Sequence, residues 1–200
     1  VDLEAVRDSA FPNNSQRRLI VKCDSVNKLS SVFLSCWPVN DVRFEGSGHF
    51  QLEAELSLGD PMRNKIPAGN YYGDGTGALY SVKEGEAALS YVPEGVEKYT
   101  VLGEIPSEDG TGNIPVVSMK SNALKMADDL AALEFQSPEN IRYLPAYSCG
   151  NCSSLKTVNG MEDVEDIRKL FVGEDVRIDF MAFHNTGLKG WDDLSGNGVI

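Results

Sequence analysis

The sequence predicts a mainly β fold: an antiparallel β-sandwich or jelly roll with two short helices. The first observation is the stretch from Phe50 to Leu58, where apolar and polar residues alternate without a break. A period of two places all the apolar side chains on one face of a strand. The second is a series of short β-prone runs between positions 78 and 119, separated by turn residues, as in all-β domains. The third is a hydrophobic content of 42% in 200 residues, which is enough to form a buried core.

The elements divide the chain into an N-terminal arm over residues 1–16 and a single β-rich domain over residues 17–200. The arm contains the break Pro12–Ser15, whose proline and asparagines favour turns over regular structure. Runs of β-branched and aromatic residues between turn residues predict the strands of the domain. The predicted strands are 18–23, 31–37, 41–45, 50–58, 78–82, 87–92, 99–103, 114–119, 141–147 and 176–183.

Apolar residues spaced by three and four positions predict the two helices. The first covers residues 121–133, with Ser121 as its candidate N-cap. The second covers residues 160–171 and is followed by Gly173, a residue type that commonly ends helices. Residues 59–77 are rich in glycine and proline, so they predict a long loop of the kind that is often functional.

The formal net charge of −12 limits the partners of the protein. Nucleic-acid binding needs clustered lysine and arginine, and the pair Arg17-Arg18 is too small a patch for a duplex. Neutral or cationic partners are favoured. No apolar run approaches the roughly 20 residues that span a bilayer, and the acidic start Val1–Glu4 does not have the form of a secretory signal. We therefore expect no nucleic acid and no membrane insertion.

Four cysteines, Cys23, Cys36, Cys149 and Cys152, leave several interpretations open. Cys149-x-x-Cys152 has the spacing of half a zinc site or of a redox pair. A redox pair should begin a helix, and the residues after Cys152 do not predict one. Thiols without a role and structural disulfides are the other interpretations, and pairing of Cys23 with Cys36 or of Cys149 with Cys152 stays open.

Other chemistry has weaker signals. His49 and His184 each lie at the end of a predicted strand, where a histidine is usually structural. Glu53 and Glu55 share one face of the strand that begins at Phe50, like the acid pair of a glycosidase, although a solvated polar face is the favoured explanation. The segments Asp74–Gly77 and Asp109–Gly112 repeat the sequence Asp-Gly-Thr-Gly, which predicts tight turns and lacks the pattern of a calcium loop. We expect no cofactor and no metal.

Aromatic residues in predicted loops are the best candidates for ligand binding. Tyr71 and Tyr72 lie in the glycine-rich segment just before Asp74, and Trp191 precedes Asp192 in the C-terminal tail. Flat rings beside carboxylates suit stacking on sugars together with hydrogen bonds to hydroxyl groups, or a protein hot spot. We therefore predict Tyr71, Tyr72, Asp74, Trp191 and Asp192 as ligand-binding residues.

Residues 171–188 resemble a stretch of small RNA-virus coat proteins. Phe171-Val172-Gly173 matches an aromatic-x-Gly entry, residues 176–183 an alternating strand, and His184–Leu188 a His-x-x-Gly-Leu exit. The resemblance covers about eighteen of the 200 residues and implies a jelly roll. The chain ends soon afterwards and has no basic arm, so the resemblance implies a projecting or spike domain in place of a shell-forming one.

These observations favour a non-enzymatic surface-binding domain. The resemblance implies a viral capsid-associated or spike domain, located on the virion surface or outside the cell, which attaches to a protein or glycan of a host or vector. Such a domain is expected to form a homo-oligomer, for example a two-fold dimer. A carbohydrate-binding or adhesion module is the first alternative, and a glycoside hydrolase-like enzyme with a carboxylate pair is the second.

Overall fold

The computed structural model describes residues 18–31, 41–57, 65–124, 127–162, 171, 176–179 and 181–188. Within these ranges the chain is mainly β, as predicted. It groups into two compact units, Val1–Lys83 and Glu84–Ile200, and each is described by itself. The predicted arm over residues 1–16 lies outside the described residues.

The first unit is built from short strands that follow one another closely along the chain. Strands predicted at 18–23, 41–45 and 78–82 are confirmed, with small shifts at their ends. The described strands of this unit are β1 (Arg18–Lys22), β2 (Lys28–Leu29), β3 (Asp41–Glu45), β4 (Ser47–Leu52), β5 (Leu56–Ser57), β6 (Lys65–Ile66), β7 (Gly69–Asp74) and β8 (Leu79–Lys83).

Two parallel pairs open the first unit. β1 pairs with β3 and β2 pairs with β4, and in both pairs the partner lies 23 residues later, from 18 to 41 and from 28 to 51. The segment that contains β3 and β4 therefore runs alongside the segment that contains β1 and β2, in the same direction. The next strand to pair with β4, β7, runs in the opposite direction. β7 then pairs antiparallel with β4, β8 pairs antiparallel with β7, and β5 pairs antiparallel with β6.

Aromatic rings form the centre of this unit's core. The ring of Phe50 stacks between those of Phe44 and Tyr71, with centroids 5.5 and 6.0 Å away. Gly73 follows Tyr71 by two residues on β7, and a Cβ on it would meet the Cys23 sulfur at 2.5 Å. Glycine is therefore required at position 73 for packing inside a strand, and this corrects the prediction of a long loop over residues 59–77, which contains β6 and β7.

The second unit has a different pattern of pairing. Its described strands are β9 (Glu86–Tyr91), β10 (Lys98–Val101), β11 (Glu104–Pro106), β12 (Asn113–Met119), β13 (Ala132–Phe135), β14 (Tyr143–Leu144), β15 (Thr157–Val158) and β16 (Arg177–Ile178), with a 3₁₀ turn over Pro138–Asn140.

These strands form two parallel ladders. The first ladder contains β9, β12, β14 and β16, and the second contains β10, β13 and β15. The chain visits the ladders in turn, and β11 adds a short antiparallel hairpin to β12. Such alternation between stacked parallel ladders is typical of β-solenoids. The side chains of Leu89, Leu133, Leu144 and Val158 are completely buried and belong to the core of this unit.

A column of unusual backbone conformations marks one corner of the second unit. Asn122, Tyr147 and Met181 all have positive φ angles, between 60° and 65°. Each lies four residues after a member of the aligned set Ser118, Tyr143 and Arg177. The amide of Asn122 donates to the carbonyl of Tyr147, and the amide of Tyr147 donates to that of Met181, both at 3.1 Å. The corner therefore repeats in register from one turn of the chain to the next.

A second column follows the first by four residues. Asn151 and Asn185 also have positive φ, which asparagine tolerates better than most residues. The Asn185 side-chain amide donates to the Asn151 Oδ1 at 3.1 Å. Backbone hydrogen bonds therefore join the residues of the first column, and a side-chain hydrogen bond joins those of the second.

This architecture corrects two expectations and leaves a third unconfirmed. The antiparallel prediction is wrong for both ladders, where neighbouring strands run parallel, and a sandwich or jelly roll is not confirmed. The helix predicted over residues 121–133 is wrong in its described part, which forms turns and β13. Its backbone bonds laterally, since the amide of Leu124 donates to the Ser148 carbonyl at 3.0 Å, and the positive φ of Asn122 is incompatible with a right-handed helix. Most of the helix predicted over residues 160–171 lies outside the described residues.

Several predicted strands are shorter than expected. The strand predicted over 50–58 is split into β4 and β5, and the strands predicted over 141–147 and 176–183 shrink to β14 and β16. The last of these is replaced from Met181 by a turn, because the positive φ of Met181 ends the extended backbone. Nearly all of the strand predicted over 31–37 lies outside the described residues.

Candidate functional site

Four polar and aromatic residues of the first unit share one face of the β4–β7 pair. The antiparallel register places Ser47 opposite Asp74 and His49 opposite Tyr72. Directly opposed residues point to the same side of a sheet, and so do residues two apart along a strand. We call the set Ser47, His49, Tyr72 and Asp74 the polar face.

The two rings of the polar face lie close together. The centroids of His49 and Tyr72 are 5.1 Å apart, and the ring planes are tilted by 55°. Both residues are half-buried. Burial raises the pKa of the Tyr72 hydroxyl, the negative charge of Asp74 raises it further, and a hydrogen bond with Ser47 opposes both effects. Tyr72 is therefore a neutral hydrogen-bonding group at neutral pH, next to a hydroxyl and a carboxylate.

The carboxylate of Asp74 is held by the turn that follows it. Its Oδ1 accepts hydrogen bonds from the Thr76 amide at 2.8 Å and from the Thr76 hydroxyl at 2.7 Å. Gly75 and Gly77 have positive φ angles, so the predicted tight turn is confirmed. The turn fixes the direction of the carboxylate at the end of β7.

Tyr71 points to the opposite side of β7 from Tyr72. Its side chain is only 2% exposed, and its hydroxyl donates to the Pro67 carbonyl at 2.8 Å. Burial raises the pKa of Tyr71 to about 12. Its ring belongs to the core and offers no surface to a ligand, so Tyr72 and Asp74 are the members of this stretch that can. Trp191 and Asp192 lie outside the described residues.

The acid pair does not have the environment of a glycosidase pair. Glu53 forms an ion pair with Lys28 and accepts a hydrogen bond from the Ser31 amide at 3.1 Å. These contacts, the one with Lys28 first, lower the pKa of Glu53, whereas a general acid needs a raised pKa. Glu55 forms an ion pair with Lys65 at 3.1 Å. Both carboxylates are engaged by lysines.

The described cysteines are buried free thiols. Cys23, Cys149 and Cys152 form no disulfide, which excludes the Cys149–Cys152 pairing, while Cys36 lies outside the described residues. Burial raises the pKa of Cys23 to about 12 and that of Cys152 to about 11, and it raises the pKa of Cys149 as well. Reactive cysteines have lowered pKa values, so these thiols serve packing.

A cluster of side chains on the first ladder of the second unit was not predicted from the sequence. Tyr143 and Arg177 are aligned on β14 and β16, and the guanidinium carbon lies 5.1 Å from the Tyr143 ring centroid. Asp179 accepts hydrogen bonds from both side chains. The predicted strand over residues 176–183 already placed Arg177 and Asp179 on one face. Their contact with Tyr143 depends on the parallel pairing of β14 with β16, which was not predicted.

The described ranges contain neither a cluster of metal-ligating side chains nor a membrane-spanning helix. In the ranges that it covers, no group of three or more His, Cys, Asp or Glu residues is placed to hold a metal ion. Among the same residues, no helix is both long and apolar enough to cross a membrane. Comparison of the chain with protein-family models, with curated proteins and with solved structures found no match.

Proposed function

We propose that this protein is a non-enzymatic carbohydrate-binding module that uses the polar face as its binding site. The observation that carries the proposal is the placement of two half-exposed rings, His49 and Tyr72, beside the Ser47 hydroxyl and the Asp74 carboxylate on one side of a sheet.

Each group of the polar face has a counterpart in a sugar. The apolar C–H side of a sugar ring packs on an aromatic ring, as at other amphipathic contacts of tyrosine. Sugar hydroxyls can donate to the carboxylate of Asp74 and exchange hydrogen bonds with Ser47 and Tyr72. The net charge of −12 disfavours a ligand that carries several negative charges, and most glycans carry none or few.

Binding is better supported than catalysis by the titratable groups. The lowered pKa of Glu53 suits a permanently ionised carboxylate, and the raised pKa values of the thiols oppose nucleophilic attack at neutral pH. The glycoside hydrolase alternative would therefore need a different acid pair from Glu53 and Glu55.

A viral attachment role stays a prediction from the resemblance over residues 171–188. In the described part of that stretch, β16 pairs in parallel with β14, which differs from a long jelly-roll strand. Homo-oligomer formation and a location on a virion or outside the cell also stay predictions. The carbohydrate proposal does not depend on them.

A glycan array followed by NMR titration tests the proposal. Glycans that bind should shift the amide signals of Ser47, His49, Tyr72 and Asp74. Tyr72→Ala should weaken binding about two- to tenfold, since an aromatic stacking contact is worth about 0.5–1.5 kcal/mol. Tyr72→Phe keeps the ring and should lose less.

Tyr147→Ala is the matched control, because it also removes an exposed tyrosine ring, but in the second unit. This substitution should leave the affinity unchanged. An array without any binding glycan, or amide shifts that avoid the polar face, would contradict the proposal.

A further inference from the structure

A second group of side chains, on the first ladder, is arranged around one arginine. Ser118, Tyr143 and Arg177 are aligned on the neighbouring strands β12, β14 and β16. Asp179 follows Arg177 by two residues, and its amide donates to the Leu144 carbonyl at 2.9 Å. The backbone thus places Asp179 on the same side of the ladder as Arg177 and within reach of Tyr143.

Two contacts fix the direction of the Arg177 guanidinium, and a third joins its two partners. Its central carbon lies 5.1 Å from the Tyr143 ring centroid, within the range of a cation–π contact. Its Nε donates to Asp179 Oδ1 at 3.0 Å. The hydroxyl of Tyr143 donates to the other oxygen of Asp179. Tyr143 and Asp179 therefore brace each other and hold the arginine in a single orientation.

Within the described part of the chain, the Nη1 and Nη2 atoms of Arg177 donate no hydrogen bond. The side chain of Arg177 is 60% exposed, whereas that of Asp179 is 19% exposed. Arg142, the residue before β14, differs because its Nη1 already donates to Glu86 at 2.7 Å. Two parallel N–H donors in a planar fork match the two oxygens of a carboxylate.

We propose that Arg177 is the anchor of a second binding site, which takes a saccharide that carries a carboxylate, that is, a uronic acid. Tyr143 and Asp179 are positioning residues that hold the fork. The site goes beyond the proposed function, because it lies in the other unit and selects a charged group.

The charges around the site set the class of ligand. Arg177 is paired with Asp179, and the whole chain has a net charge of −12. A ligand with many negative charges, such as a strongly acidic peptide, would be repelled. A sugar ring with one carboxylate presents a single charge to the fork, and the Ser118 hydroxyl, aligned with Tyr143 on the same face of the ladder, is placed to bind a sugar hydroxyl.

Titration of the full chain with two matched disaccharides, followed by NMR, tests the proposal. Cellobiouronic acid carries one carboxylate and cellobiose carries none. We expect the acid to bind about two- to fivefold more tightly than cellobiose, since an ion pair at an exposed site is screened by water and adds only modestly to the affinity. The preference should weaken as salt is added, because the contact is exposed.

Substitutions of Arg177 distinguish the effect of its paired N–H donors from the effect of its positive charge. Arg177→Gln should abolish the preference for the acid, and Arg177→Lys, which keeps the charge without the fork, should retain only part of it. Arg142→Gln is the matched control and should change the affinity by less than twofold. Thermal unfolding checks that each variant is folded. Equal binding of the two disaccharides, or a preference that survives Arg177→Gln, overturns the proposal.

Two further measurements distinguish this site from the polar face and a saccharide from a peptide carboxylate. The preference for the acid should persist in Tyr72→Ala, which makes failure of this site distinguishable from failure of the polar face. N-acetylglutamate amide tests the alternative of a peptide carboxylate. If it binds as tightly as cellobiouronic acid with the same dependence on Arg177, the saccharide assignment is wrong.

Discussion

The two Asp-Gly-Thr-Gly turns have the same sequence and the same internal hydrogen bonds, but different surroundings. In the second turn, Asp109 Oδ1 accepts from the Thr111 amide at 3.0 Å and from the Thr111 hydroxyl at 2.8 Å, which repeats the contacts between Thr76 and Asp74. Gly75 and Gly110 both have positive φ angles, +87° and +69°. Four residues therefore encode the turn in either setting.

The residue two positions before the aspartate makes the difference. Ser107 donates to Asp109 Oδ1 at 2.7 Å, and its own oxygen accepts from the Gly112 amide at 3.0 Å, so the second turn is closed on itself. Tyr72 occupies the corresponding place before Asp74 and lies on the polar face beside His49. The same tetrapeptide is thus purely structural in one unit and positions a carboxylate next to aromatic rings in the other.

The largest expected effect concerns the glycine before Asp74. In Gly73→Ala, the added Cβ would lie 2.5 Å from the Cys23 sulfur and 3.4 Å from the Gly46 carbonyl oxygen. We expect the free energy of unfolding to fall by about 1–3 kcal/mol, as for other overpacked sites. Chemical denaturation measures this change.

Gly112→Ala in the second turn is the control, because a Cβ there meets nothing within 4 Å. If both variants lose the same stability, the loss at position 73 comes from the reduced conformational freedom of the backbone. The contact with the Cys23 sulfur would then make no contribution.

A somewhat smaller effect separates the central glycines of the turns. Gly75→Ala and Gly110→Ala should each cost about 1–2 kcal/mol of unfolding free energy, because alanine disfavours a positive φ. At position 75 the new Cβ would also lie 2.9 Å from the Ser47 hydroxyl. We therefore expect Gly75→Ala to cost more, and the excess to disappear when Ser47→Ala is added, as a double-mutant cycle would reveal. An excess that persists in the double variant contradicts the assigned contact.

The sequence predicts the turns and the β class for reasons that are local. An aspartate, a glycine and a threonine at fixed spacing contain all the donors and acceptors of these turns. Alternation, as in residues 50–58, identifies which side chains share a face. Neither signal identifies the partner strand, so both ladders of the second unit, which are parallel, were expected to be antiparallel.

The candidate site could be predicted only in part for the same reason. Tyr72 and Asp74 are two residues apart, but glycines around them favoured a loop, so the opposite directions of Tyr71 and Tyr72 were not recognised. His49 and Ser47 join the polar face through the register of β4 and β7. The Arg177 cluster depends on pairing between residues that are 34 positions apart, from 143 to 177. Long-range register, and not residue type, was the missing information.

The smallest expected effect is the pH dependence of the closed turn. Hydrogen bonds, first from the Ser107 hydroxyl and then from the Thr111 amide and hydroxyl, lower the pKa of Asp109 from 3.8 to about 2. A lowered pKa means that the ionised form is favoured in the folded state. The stabilisation by Asp109 is therefore complete above about pH 4 and is lost as the pH falls towards 2. Titration of the Asp109 carboxyl carbon by NMR measures this pKa.

Ser107→Ala removes the hydrogen bond from the Ser107 hydroxyl to Asp109, which has no counterpart from Tyr72 in the first turn. Thr111→Val removes only the hydrogen bond from the Thr111 hydroxyl. We expect Ser107→Ala to raise the pKa of Asp109 more than Thr111→Val does. In thermal unfolding, the difference between the wild type and Asp109→Asn should shrink as the pH is lowered from about 4 to 2. If Asp109 titrates at its ordinary value in the folded protein, or if Ser107→Ala leaves it unchanged, the serine does not close the second turn. The contrast between Ser107 and Tyr72 would then not explain why one Asp-Gly-Thr-Gly turn is structural and the other adjoins the polar face.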